Sequence, residues 1–127
     1  MQTLFLVAAG GATGAVARYL LGVQAMRSLG GGWPYGTFAA NVLGGFLMGV
    51  LAGVLAYRGG ADQEKWRVLL GVGVLGGFTT FSAYSLEVAL MIERRAYGQA
   101  AAYSLGSVVL SVLALFAGLL LMRRLLA

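Results

Sequence analysis

Four long apolar runs, separated by brief polar or glycine-rich stretches, set the pattern of this chain: Leu4 to Met26, Tyr35 to Tyr57, Val68 to Ile92 and Ala100 to Met122. A helix that crosses a bilayer needs about 20 mostly apolar residues. The pattern therefore predicts four transmembrane helices, an all-α membrane protein, and a single four-helix transmembrane domain over residues 1–127. The connections leave no room for a soluble domain. Arg27 to Pro34 is rich in glycine and offers Trp33 as an interfacial anchor, Arg58 to Arg67 is polar with Trp66 at its far end, and Glu93 to Gln99 is a charged turn. The first run has the length of a signal peptide. It lacks a basic segment before it and a small-residue cleavage site after it, so it is read as the first span.

Polar positions within the runs fall on helix faces. Gly10, Gly14 and Arg18 lie four apart and share a face. The two glycines form a GxxxG contact surface, a motif common among apolar segments. Arg18 is open to two readings, a clamp on exposed carbonyls of a neighbouring helix or a contact for an anion. Thr37, Asn41, Gly45, Gly49 and Gly53 repeat at steps of four in the second run, so one end of that face packs tightly and the other presents hydrogen-bonding groups. The Asn41 amide must be satisfied within the membrane, and its NH2 offers two donors to an anion or to a carbonyl. Tyr103, Ser107 and Ser111 make a hydroxyl stripe along the fourth run, which is read as a polar path. Glu87 is the only acid within a span. It is open to proton coupling, but its nearness to the span end, with Arg94 and Arg95 following, fits a charge pair at headgroup level.

The third run is interrupted. Five of the seven residues from Gly76 to Ser82 are Gly, Ser or Thr, the exceptions being Phe78 and Phe81. Paired glycines relax the backbone, and the hydroxyls of Thr79, Thr80 and Ser82 compete with the helical ladder for hydrogen bonds. Within hydrocarbon, broken backbone survives only where protein or a wet cavity surrounds it. A break in the middle of the third helix is therefore expected, and with it a site. The plainer reading is that these small residues only let helices pack closely.

Composition narrows the function. The chain is 60% hydrophobic and 10% charged, with a mean hydropathy of +0.86, far from the balance of a soluble domain. It contains neither cysteine nor histidine, which excludes thiol chemistry, imidazole bases and the usual zinc or haem ligands. No carboxylate pair, nucleophile with a base, or metal cluster supports an enzyme. The net charge of +5 comes from basic residues scattered at span ends, which meet lipid headgroups and do not form a nucleic-acid patch.

With four spans both termini lie on one side. Arg58, Lys65, Arg67, Arg123 and Arg124 share that side, against Arg27, Arg94 and Arg95 on the other. A split of five to three gives weak direction under the positive-inside rule. Insertion in both orientations and a single orientation with cytoplasmic termini both remain open.

Read together, GGATGAVARY at 10–19, YGTFAANVLGGFLMG at 35–49 and GGFTTFSAYS at 76–85 resemble the Fluc family of fluoride channels, also called CrcB, over nearly the whole chain. The resemblance implies an antiparallel, dual-topology homodimer of four-helix subunits in the bacterial plasma (inner) membrane. That dimer exports fluoride passively through two pores. By the same resemblance, Gly76 and Thr79 hold a central structural Na+ through backbone carbonyls from both subunits, and Phe81 and Tyr84 stand where two phenylalanines turn ring edges to fluoride. Asn41 matches the pore asparagine, Ser82 lies within the pore run, and Tyr103, Ser107 and Ser111 match a polar track. Arg18, Thr37 and Glu87 have supporting counterparts. The departure is Ala83-Tyr84, where the family's usual run ends in Thr-Phe. The ring edge stays positive, and the added hydroxyl is free to donate to fluoride or to hold water.

The implied partners are fluoride, a second copy of the chain and membrane lipid, with no nucleic acid. Two other functions compete. A small dual-topology multidrug exporter shares the size and span count, but trading protons for substrate needs an acid in the first span, and this chain has none there. A non-transporting membrane subunit needs only the glycine packing, and the hydroxyl stripe speaks against it.

Overall fold

The computed structural model describes residues 2–30, 33–58, 60, 63–79 and 81–126, without the side chains of Arg58 and Ser82. The described residues are helical, with no strand among them. Helix α1 spans Gln2–Leu29 and α2 spans Tyr35–Arg58. The third apolar run begins with α3 (Gln63–Trp66), continues as a π-helical segment (Arg67–Leu75), and returns to α-helix in α4 (Gly76–Phe78). Thr79 is extended, with φ −94° and ψ 151°, and α5 (Phe81–Glu93) follows. Helix α6 spans Tyr97–Leu126. Four stretches are long and apolar enough to cross a membrane: Gln2–Leu29, Tyr35–Tyr57, Gln63–Glu93 and Tyr97–Leu126. The chain is a multi-pass membrane protein.

The ends of these helices are marked by local chemistry. Gly30 takes φ 83°, which only glycine adopts without strain, and its N–H closes α1 on the Met26 carbonyl at 3.0 Å. The α5–α6 connection is closed by Arg95 at φ 61° and by a 2.8 Å bond from Ala96 N–H to the Met91 carbonyl. That bond satisfies a carbonyl of the last turn in the manner of a Schellman cap.

Two glycine-lined helix pairs carry the packing. In the first, α1 lies against the π-helical segment and α4. A Cβ added at Gly10 would come within 2.6 Å of the Leu69 carbonyl oxygen, one at Gly14 would overlap the Val74 carbonyl, and one at Gly77 would come within 2.5 Å of the Gly11 carbonyl. In the second, α2 lies against α6. Here a Cβ added at Gly45 would come within 2.6 Å of the Ser111 carbonyl oxygen, one at Gly49 would overlap the Leu115 carbonyl, and one at Gly118 would meet the Phe46 carbonyl. Without a hydrophobic driving force between helices in lipid, such backbone-to-backbone approach is what holds a bundle together. The faces read from four-residue spacing are the faces that pack.

The π-helical segment has no counterpart in the sequence reading. Its wider turn carries hydrogen bonds five residues back, as where Gly76 N–H reaches the Gly71 carbonyl. Gly71, Gly73 and Leu75 are buried along it, and Gly73 meets Gly10 of α1, where a Cβ would lie 3.0 Å from the Gly10 Cα. One residue more per turn is invisible to hydrophobic spacing when nearly every position is apolar.

A small aromatic core closes one end of the bundle. Tyr103 and Met91 are fully buried, and Trp33, Phe38, Tyr84 and Val88 pack around them with Ala100. Trp33, expected as an interfacial anchor, sets its ring edge-on to Tyr103 with centroids 5.1 Å apart at 82°.

Candidate functional site

A cavity of about 400 Å³ lies between α2, α4, α5 and α6. Its lining brings together Asn41 of α2, Gly76 of α4, the extended Thr79, Phe81 and Tyr84 of α5, and Ser107 and Ser111 of α6. Seven positions singled out in the sequence thus meet around one space. The side chain of Ser82 and all of Thr80 lie outside the described residues.

Each wall has its own chemistry. Helical spacing of three and four puts Asn41, Gly44, Gly45 and Met48 on one stripe of α2, and Ser107 and Ser111 on one stripe of α6. The Ser107 and Ser111 hydroxyl oxygens are buried and have no hydrogen-bond partner among the described residues. Buried hydroxyls are almost always paired, so two unpaired ones beside a cavity leave hydrogen-bonding capacity, as donor or acceptor, at its wall. Thr79 spends its side chain locally, Oγ1 donating to the Leu75 carbonyl at 3.0 Å. The α4 end at Phe78 leaves carbonyls of its last turn without intrahelical donors. The first turn of α5, starting at Phe81, leaves N–H groups in the same condition. Opposed helix ends of this kind present a negative and a positive pole close together.

Aromatic rings close the space on the α5 side. Phe81 is 77% exposed, with its centroid 5.5 Å from that of Tyr84. Tyr84 stands 5.3 Å from Tyr103 and donates its hydroxyl to the Ser104 carbonyl at 3.0 Å. The phenol expected to be free for an anion or water is therefore engaged with backbone.

Tyr103 stands apart from the cavity. Its hydroxyl donates to Glu87 Oε2 at 3.3 Å, while Thr37 Oγ1 donates to Glu87 Oε1 at 2.6 Å. The expected charge pair of Glu87 with Arg94 and Arg95 does not form. Among the described residues the only ion pair is Arg67–Glu64, at 2.5 Å. The reason is geometric: Glu87 turns inward towards α2 and α6, while Arg94 and Arg95 belong to the exposed turn after α5. Thr37, Glu87 and Arg94 line a second cavity of about 320 Å³ with Trp33 and Met91. Arg18 follows the clamp reading. Its Nε donates to the Gly77 carbonyl at 3.4 Å, tying α1 to the end of α4.

Comparison with known proteins decides the family. The family model described as "CrcB-like protein, Camphor Resistance (CrcB)" matches residues 5–119. The chain belongs to the CrcB family. This CrcB chain is 83% identical, over the full length of both, to a protein of Phenylobacterium zucineum (strain HLK1) named "Fluoride-specific ion channel FluC". It is 70% identical over 124 residues to one of the same name in Caulobacter sp. (strain K31), covering 98% of this chain and 97% of that one. A third such protein, from Rhodospirillum centenum (strain ATCC 51521 / SW), is 55% identical over 123 residues, 97% of each. The partnership of Glu87 with Thr37 and the aromatic cluster of Trp33 and Phe38 on Tyr103 are CrcB-chain features that sequence spacing missed, because each joins different helices. The one available signal was that a lone acid within a span needs a partner.

Proposed function

We propose that this chain is a fluoride-selective channel that lowers cytoplasmic fluoride by passive export across the bacterial plasma membrane. The observation that carries the reading is the cavity lined by Asn41 and by two buried serine hydroxyls that have no partner among the described residues. Fluoride is small and strongly hydrated, so a path for it must replace water with neutral donors and avoid a full positive charge that would trap it. Asn41, Ser107 and Ser111 are such donors, and among the described residues no cationic side chain lines the cavity. The positive ring edge of Phe81 adds a weak attraction without a charge. The one acid within the spans is kept from repelling an anion by having both oxygens hydrogen-bonded to hydroxyls.

The working unit of this proposal is an antiparallel, dual-topology homodimer with the third helix broken at Thr79. Support comes from the exposure of Phe81 beside the cavity, from the extended backbone at Thr79, and from basic residues nearly balanced across the membrane. An antiparallel pair needs subunits of both orientations, and near-balance supplies them. Gly76 and Thr79 would hold a structural Na+ through their carbonyl oxygens. Their surroundings fit such an ion: a helix end supplies oxygen donors of the right hardness and a negative pole. The bound cation would pin the two chains at this point. Phe78→Pro tests the carbonyl site, because it forces Gly77 towards extended backbone and redirects these oxygens. A variant that keeps a central cation and normal flux refutes it.

Efflux from liposomes loaded with potassium fluoride, with chloride as the control anion, tests the function. Rapid fluoride loss without chloride loss is the expected result. Equal loss of both, or of neither, removes the selective-channel reading. A proton-coupled multidrug exporter would instead carry a cationic dye against a pH gradient, and a non-transporting subunit would carry nothing.

A further inference from the structure

Tyr84, with Ala83, is where the chain departs from the run its family resemblance implies, and the Tyr84 hydroxyl is engaged. We propose that Tyr84 is a positioning residue: its hydroxyl ties α5 to α6 through the Ser104 carbonyl and fixes the ring at the cavity wall, and the hydroxyl does not donate to the anion. The inference rests on the fluoride reading above and assigns a role within that site.

The chemistry follows from a count of protons. A phenol has one O–H to give. That proton lies on the Ser104 carbonyl at 3.0 Å, so the oxygen has only lone pairs left to present, and lone pairs repel an anion. What Tyr84 can offer the cavity is its ring edge, the positive rim of the aromatic quadrupole. The ring is held on three sides. Phe81 lies 5.5 Å away at 47°, Tyr103 lies 5.3 Å away at 45°, and the hydroxyl end is tethered. Tyr103 is itself fully buried and donates its hydroxyl to Glu87. The tether also reaches the polar wall directly. Ser104 and Ser107 are three apart on α6 and share a face, so the bond sets the distance between the Tyr84 ring and the Ser107 hydroxyl.

Solid-state NMR and flux on the intact protein in liposomes test the assignment. The parent protein carries tyrosine labelled with carbon-13 at Cζ, and the Tyr84 resonance is identified by its loss in Tyr84→Phe. Expected results are a Tyr84 Cζ shift that saturating sodium fluoride leaves unmoved and, in matched samples labelled at the ring Cδ and Cε positions of tyrosine in the parent and of phenylalanine in the variant, faster ring flips at position 84 in Tyr84→Phe. Fluoride efflux in that variant should fall about fivefold at unchanged dimer recovery, the factor that corresponds to one ordinary hydrogen bond. A Cζ shift that moves with fluoride would place the hydroxyl on the anion and overturn the proposal. Unchanged ring flips would show that the tether does not hold the ring, and unchanged efflux that its hold does not matter to conduction; each also overturns it. If the parent protein moves no fluoride, the channel reading fails, and the ring-flip measurement still decides whether the tether exists.

Discussion

Thr37 Oγ1 donates a 2.6 Å hydrogen bond to Glu87 Oε1, joining α2 to α5 inside the bundle. The Tyr103 hydroxyl reaches the other carboxylate oxygen from α6 at 3.3 Å. Three of the four spans thus meet at one acid. A carboxylate taken out of water is costly unless its lone pairs are occupied, and two hydroxyls from two helices occupy them here. The acid therefore acts as a node of the fold beside the polar wall.

Removing either hydroxyl should loosen that node. Thr37→Val and Tyr103→Phe keep shape and delete one donor each, and a hydrogen bond to a charged group contributes about 1.5–3 kcal/mol. Thermal unfolding of the purified protein should show both variants less stable than the parent. The double variant should lose less than the sum, since the two donors share one carboxylate. Arg94→Ala should leave the midpoint nearly unchanged, because Arg94 is not the partner of Glu87. A large loss in Arg94→Ala with none in Thr37→Val would restore the headgroup-level charge pair.

The glycine faces make a sharper test of packing. A Cβ at Gly49 would overlap the Leu115 carbonyl, and one at Gly118 the Phe46 carbonyl. Both obstacles are backbone, so neither can move aside without separating α2 from α6. Gly49→Ala and Gly118→Ala should each reduce folded protein several-fold in detergent extracts, as overpacking of a close contact costs about 1–3 kcal/mol or more. Gly98→Ala is the control, since nothing lies within 4 Å of a Cβ built there. Equal yields from all three would mean that α2 and α6 do not approach as described.

These cases indicate what the sequence could convey. Four spans were legible because about 20 apolar residues admit little else, and the packing faces because glycines at steps of four can only line one side of a helix. Asn41, Ser107 and Ser111 were legible as members of polar stripes. Tyr103 was legible as a member of the same stripe, but its contacts with Trp33 and Glu87 were not. The π-helical turn from Arg67 was hidden because uniform apolarity carries no period. The partners of Glu87 and Tyr84 were hidden because both lie on other helices, where chain distance gives no guide.

Asn41→Asp should sharply reduce fluoride flux while leaving the bundle assembled. The swap exchanges two N–H donors for a negative charge on the wall of the cavity that also holds Ser107 and Ser111. Near-identical volume keeps the α2–α6 contact, so recovery of folded protein by size-exclusion chromatography should match the parent. Fluoride efflux from liposomes is the measurement. Parental flux from a well-assembled variant would remove Asn41 from the anion path.

The last prediction concerns orientation and assembly together. Five basic residues flank the spans on the side of the termini and three on the other, so the insertion machinery has little to choose by. Gly60→Cys introduces the only thiol into a chain that has no cysteine, at an exposed position between α2 and α3 with open space around it. In cells, an impermeant maleimide should label about half of this thiol from outside, the remainder reacting only after permeabilisation. Two lysines added within residues 58–67 should shift nearly all of the population to cytoplasmic termini. If two opposed copies are needed to complete the site, that biased variant alone should conduct no fluoride. Co-expression with a second variant, biased the other way by lysines near Arg27 and Arg94, should restore efflux. A chain labelled from one side only, yet fully active by itself, would refute the antiparallel pair and leave the proposed Na+ with the carbonyls of a single chain.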